Sequence, residues 1–111
     1  MIIKEIALAK YLLVVPSSAL PGRDAEYNAW YDGEHLRDLL KVRGIVSGRR
    51  FDALQTSPHQ PPAKHLGIYE IEADDPLAVL AEIGRRVESG EMSMTADIDP
   101  ASVQMWIYQP R

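Results

Sequence analysis

The spacing of apolar residues in this chain switches between a period of two and a period near 3.6 in a set order. That order constrains the fold more than any single motif. KYLLVVP, residues 10 to 16, is a short valine-rich run ending in the turn cluster PSSALPG, and it reads as a buried strand. Residues 2 to 9, IIKEIALA, either extend it or form a strand of their own. From Asp24 the period becomes helical, with Ala25, Ala29, Leu36 and Leu40 on one stripe and Gly33 between them. Asp24 and Glu26 in the first turn suit the positive end of a helix dipole. Gly33 weakens the middle by about 1 kcal/mol, so a break or kink is expected there, and the helix should stop near Val42, before Gly44.

GIVSGRRFDAL, 44 to 54, alternates and predicts a strand, followed by the proline-rich loop 56 to 63. HLGIYEIEA, 65 to 73, is the clearest strand. Asp75 then caps a helix that opens on Pro76, carries Leu77, Leu80, Ile83, Gly84 and Val87 inward, and ends at Ser89-Gly90. SVQMWIYQ, 102 to 109, is the last strand. The order β-α-β-β-α-β predicts an α+β ferredoxin-like sandwich: a four-stranded antiparallel sheet with two helices on one face.

With 111 residues the chain is one domain, 1–111, and large enough for a core without staples. It has no cysteine, which removes disulfides, thiolate metal sites and a cysteine nucleophile. A net charge of −4 argues against nucleic acid, since phosphate binding needs a concentrated basic surface and only Arg43, Arg49 and Arg50 cluster. No charged, apolar and small-residue leader opens the chain, and no apolar run approaches the ~18 residues of a membrane span. No membrane partner is expected, and a cytoplasmic location is the default.

A sheet with helices on one side exposes its other side. In the third strand Leu66, Ile68 and Glu70 oppose Gly67, Tyr69 and Ile71; in the fourth, Val103, Met105 and Ile107 oppose Gln104, Trp106 and Tyr108. The aliphatic sets are expected beneath the helices, leaving Tyr69, Gln104, Trp106 and Tyr108 outward. Such an apolar patch predicts a homodimer that presses two sheets together and encloses an aromatic cleft for a small hydrophobic ligand. The competing reading is that these rings only fill the contact.

The densest chemistry lies in EYNAWYDGEHLRDLL, 26 to 40. His35 is the one candidate catalyst, because an imidazole gives or takes protons near neutrality. Tyr27 and Tyr31 share its stripe, and Asp38 is placed to orient it. The alternative is a partly buried histidine bonded to a backbone carbonyl. Trp30 and Tyr31 are candidate ligand walls, although a tryptophan there is more often core. Arg49 and Arg50 alternate, and Arg50 is the candidate to hold an anionic ligand group. His59 and His65 do not have a metal-ligand spacing and read as surface histidines. No G-x-G-x-x-G loop is present. Met92 and Met94 read as adaptable fillers.

WYDGEH at 30 to 35, VRG at 42 to 44, GRRF at 48 to 51 and LGIYEIEADDPLAVL at 66 to 80 resemble the EthD-like branch of the dimeric α/β-barrel superfamily, over about residues 10 to 109. The resemblance implies a ferredoxin-like protomer, a dimer whose sheets close into a barrel, and binding or conversion of small cyclic and aromatic compounds, often without a cofactor. It maps the helix histidine onto His35 and the Trp-Tyr pair onto Trp30 and Tyr31. Relatives commonly carry a proline two residues after that histidine, where this chain has Arg37. The expectation is a cofactor-independent isomerase, cyclase or lyase using His35, with a non-catalytic binding or accessory protein as the alternative and a monooxygenase or haem-binding relative behind both.

Overall fold

The computed structural model describes residues 8–56 and 58–111. Residues 2 to 7 of the possible N-terminal extension lie outside the described residues; from Ala9 the chain is part of the first strand. Strand β1 (Ala9–Ser17) is followed by helix α1 (Asp24–Trp30), a π-helical turn (Tyr31–His35) and helix α2 (Leu36–Leu40). Strands β2 (Ile45–Asp52) and β3 (His65–Ala73), helix α3 (Pro76–Ser89), a 3₁₀ turn (Pro100–Ser102) and strand β4 (Trp106–Tyr108) complete the chain. The sheet order is β2-β3-β1-β4 and every pairing is antiparallel. The arrangement is α+β and compatible with a ferredoxin-like sandwich.

Strand pairing fixes the two faces. Leu13 lies opposite Tyr69 and Ile107, and Leu12 opposite Glu70 and Tyr108. Residues directly opposite share a face. The helix side therefore carries Leu13, Val15 and Ser17 of β1, Gly67, Tyr69 and Ile71 of β3, and Ile107 of β4. The outer side carries Leu12, Val14, Leu66, Ile68, Trp106 and Tyr108, with Arg49 and Phe51 of β2 opposite Ile68 and Leu66.

Tyr69 is thus not an outward residue. Its exposure is 0%, and it packs beneath the first helix. Two glycines make this possible. A Cβ on Gly48 would stand 2.7 Å from the Tyr69 ring, and one on Gly67 would stand 2.7 Å from the Tyr31 hydroxyl. The β2 and β3 backbones leave room for the rings only because these side chains are missing. Leu66 and Ile68, expected inward, lie on the outer face.

The first helix buries Tyr27, Tyr31, His35 and Leu39, followed by Val42. The expected stripe is not the buried one: Ala25, Ala29 and Leu40 are exposed and Leu36 is half-buried. Buried side chains four apart cannot stay on one face of a plain α-helix. Over the twelve steps from Tyr27 to Leu39 they would drift by about 120° at ~100° per residue. The π-turn inserts one residue and removes ~100° of that drift. Gly33 lies within the turn, so the expected irregularity occurs there, yet a Cβ on Gly33 would meet nothing within 4 Å.

Helix α3 begins as expected. The Asp75 carboxylate accepts from the Leu77 amide at 3.0 Å, Pro76 opens the helix, and Gly90 closes it at φ +82°. Val79 and Ile83 are its buried residues, whereas Leu77, expected inward, is exposed. The fourth strand is shorter than expected. The Asp99 side chain accepts from the Ala101 amide at 3.1 Å and starts the Pro100–Ser102 turn, which takes Ser102 out of the expected strand; regular pairing begins at Trp106.

Candidate functional site

A cavity of about 110 Å³ lies between the sheet and the helices. Its floor is Leu13, Val15 and Ser17 of β1; the first helix contributes Trp30, Tyr31, His35 and Leu39, and α3 contributes Ile83 and Val87. The segment after α3 closes it with Met94, Ile98, Val103 and Met105. Two hydrogen bonds hold that segment to the helix. Trp30 Nε1 donates to the Ser93 carbonyl at 3.3 Å, and Ser93 Oγ donates to Glu34 at 2.5 Å. Among the described residues no charged side chain lines the cavity.

His35 is the most polar ring in the wall and is 8% exposed. Trp30 stacks on it at 4.3 Å with 20° between the planes, and Tyr31 meets it edge-on at 4.9 Å. A residue and its fifth successor point apart on an α-helix; the π-turn between them brings Trp30 and His35 together. Burial pushes the His35 pKa down to about 4, against the opposing influence of Asp38 and Glu34, while Arg50 pushes the same way as burial. His35 is therefore neutral near pH 7. Its Nδ1 is buried with no hydrogen-bond partner among the described residues. Asp38, expected to orient the ring, instead faces Lys41 at 3.8 Å. The backbone-carbonyl partner considered for a structural histidine is not found at Nδ1 either.

Tyr31 and Tyr69 share a buried hydrogen bond between their hydroxyls. Burial drives both phenols up, Tyr31 to about 12, so both stay protonated. At the other end of the floor, Ser17 Oγ and the Tyr27 hydroxyl are 2.5 Å apart. Tyr27 in turn stacks on His65 at 4.8 Å.

Arg50 lies on the same side of the sheet but beneath the rings rather than in the cavity. Its guanidinium is 4.3 Å from the Tyr31 ring centroid and donates to Asp32 at 2.7 Å and Asn28 at 2.8 Å. It is a clamp on the helix, so the expectation that it holds an anionic ligand group does not fit its position. His65 is not a surface residue. It is buried, with Nδ1 2.7 Å from Asp52 and Nε2 3.0 Å from Asp24, and it ties the start of α1 to the end of β2. His59 is exposed, as expected.

The expected site residues therefore fall into two groups. Trp30, Tyr31 and His35 meet at the cavity, with Tyr69 and Arg50 supporting Tyr31 from below. Gln104, Trp106 and Tyr108 are on the opposite side of the sheet, where Trp106 Nε1 donates to Gln104 at 3.0 Å. Trp106 is 53% and Tyr108 57% exposed, so these two do face outward as expected. Because the sheet separates them from His35, one cleft between paired sheets cannot hold both groups.

No protein-family model matches this chain, and no curated protein and no solved structure is significantly similar to it.

Among the described residues, no group of three or more His, Asp or Glu side chains is placed to hold a metal ion, and no helix is long and apolar enough to cross a membrane. The lining residues not singled out from the sequence are Leu13, Val15, Ser17, Leu39 and Ile98; Met94 was expected as a filler, and Val103 and Met105 as inward residues of the last strand. The first strand runs one residue further than expected, to Ser17, and alternation along it puts Ser17 on the same face as Val15 and Leu13. In the closing segment, alternation puts Val103 and Met105 on the helix side, whereas nothing periodic marks Met94 or Ile98.

Proposed function

We propose that the protein is a cofactor-independent enzyme that moves a proton on a small apolar or ring-containing molecule held in this cavity, with His35 as the proton acceptor. One observation carries the reading: an uncharged, buried imidazole lacking a partner at Nδ1, framed by Trp30 and Tyr31 in an otherwise apolar wall. A buried polar atom without a partner costs about 1–3 kcal/mol, and concave apolar sites with a few such groups are where ligands bind. The depressed pKa makes His35 a base rather than an acid at neutral pH, because its protonated form is scarce there.

The resemblance to the EthD-like branch belongs to the same reading, as does a homodimer through the outer face. Leu12, Phe51, Trp106 and Tyr108 leave that face partly apolar, which supports a second copy as its cover. In this version each protomer keeps its own cavity and the paired sheets supply assembly.

A second reading is a binding protein without turnover. It is favoured because, among the described residues, no carboxylate is hydrogen-bonded to His35 to raise its basicity. Incubation with a panel of lactones and phenols, following binding and product separately, distinguishes the two. On the enzyme reading His35→Gln lowers turnover by roughly a hundredfold while the fold persists. Unchanged turnover would remove His35 from the mechanism, and tight binding with no product by the wild type would leave the carrier.

A further inference from the structure

We propose that the cavity selects its ligand by charge state: it takes weakly acidic ring hydroxyls, such as phenols and enols, only in their protonated form, and it excludes the conjugate anions. This rests on the reading of the cavity as a ligand site and adds which ionic form enters.

The polar members of the lining are neutral groups: the His35 imidazole, the Ser17 and Tyr31 hydroxyls and the Trp30 indole. The charged groups that act on His35 are Glu34, Asp38 and Arg50, and none lines the cavity; Arg50 Nε is buried without a partner among the described residues, but its guanidinium lies under the Tyr31 ring, outside the cavity wall. Glu34 accepts from Ser93, Asp38 faces Lys41, and Arg50 is bonded to Asp32 and Asn28 under the Tyr31 ring. An anion entering the cavity would lose its water and gain no counter-ion, which is strongly unfavourable. Two carboxylates lie near the imidazole, and they would repel it further.

A neutral hydroxyl meets the opposite situation. A neutral imidazole has one acceptor nitrogen and one N–H, and His35 Nδ1 has no partner of its own. Nδ1 is itself enclosed, so a ligand O–H reaches it only as the lining gives way, and it can then donate to the imidazole while its ring lies among the aliphatic side chains of β1 and α3. Only the protonated ligand has that hydrogen to donate. The cavity, at about 110 Å³, is somewhat smaller than the ~150 Å³ engineered cavity that holds benzene, so a single ring entering it would have to displace the unbranched, partly exposed Met94 and Met105 side chains.

The test uses two probes of one size on the intact protein. 4-Nitrophenol ionises in the neutral range and its phenolate has a separate visible band; nitrobenzene does not ionise. Equilibrium dialysis from pH 5.5 to 8.5 gives both affinities. The expected result is a flat nitrobenzene Kd and a nitrophenol Kd that rises about tenfold per pH unit once the free ligand ionises, with no phenolate band in the bound fraction. In His35→Phe the ratio of nitrophenol to nitrobenzene affinity at low pH should fall to that expected without an imidazole acceptor; an unchanged ratio would overturn the role of His35 in the charge rule. A nitrophenol Kd that stays flat or falls with pH, or a bound phenolate band, would overturn the charge rule while leaving the cavity as a ligand site. Nitrobenzene binding without nitrophenol binding at any pH would overturn it too. If neither probe binds at any pH, the ligand-site reading fails and takes this inference with it.

Discussion

The burial of His35 makes a quantitative demand on stability in acid. Its pKa falls from the ordinary 6.5 to about 4 in the folded protein, chiefly by desolvation. The unfolded chain therefore binds a proton first as the pH drops, and stability is lost on acidification. The contribution is constant above about pH 6.5, declines between 6.5 and 4, and is constant again below. The full displacement corresponds to about 3 kcal/mol, of which about 2 kcal/mol is lost by pH 5. Carboxylates complicate the raw curve. Asp24, Asp97, Glu82 and Glu91 are all held below their ordinary range by hydrogen bonds to basic partners, so they too favour the unfolded state as they take up protons. Subtraction removes them. His35→Phe keeps a ring against Trp30 and does not titrate, and it also deletes the buried unpaired nitrogen. Urea unfolding of both proteins at pH 7.5 and pH 5 should show the wild type losing about 2 kcal/mol more than the variant between the two. The variant should be as stable as the wild type, or more so, at pH 7.5. In parallel, the His35 ring proton resonance should titrate with a midpoint near 4. A midpoint at or above 6.5, with equal acid losses in both proteins, would refute both the burial and the neutral-base argument built on it.

Other outcomes follow from the packing around it. Tyr69→Phe strands the Tyr31 hydroxyl in the core and should cost about 1–2 kcal/mol in urea unfolding, whereas adding Tyr31→Phe should cost less than the sum of the two single changes. Gly67→Ala puts a methyl group 2.7 Å from the Tyr31 hydroxyl and should cost about 1–3 kcal/mol; an unchanged melting temperature would mean that the rings yield freely. Asp75→Ala removes the α3 cap and should cost about 1 kcal/mol with no effect on ligand binding. If the outer face joins two copies, Trp106→Glu should yield monomers by light scattering without unfolding the protein, and a persistent dimer would place the contact elsewhere.

The parts of this fold that were legible in the sequence are those set by local chemistry. Asp75-Pro76 and Gly90 mark α3 because capping and left-handed closure depend on a few adjacent residues. His65–Ala73 alternates strictly and is the strand it looks like. Trp106 and Tyr108 do point away from the helices. The failures share one cause: a partner distant in sequence. Tyr69 looked amphipathic and therefore outward, but its hydroxyl is satisfied by Tyr31, thirty-eight residues away. Gly48 and Gly67, flanking the place the ring occupies, were the missed signal. His65 looked like a surface histidine because Asp24 and Asp52 approach it only in the folded sheet.

The first helix shows how the same pressure produces both core and site. Its buried residues recur every fourth position, 27, 31, 35 and 39, a spacing that a regular helix cannot keep facing one sheet. The chain could have exposed Leu39 or turned Tyr27 away. Instead it accepts one π-turn, with poorer local hydrogen bonding, and keeps all four residues inward. Tyr31 can then reach Tyr69, and Val42 still arrives under the sheet. His35 is carried inward by the same inserted residue, against Trp30 and into the cavity wall, where no hydrogen bond at Nδ1 rewards it. A purely structural core would place a leucine at that position, as it does at Leu39. The polar ring is therefore the one member of the stripe that packing alone does not explain, and that exception is what points to a ligand.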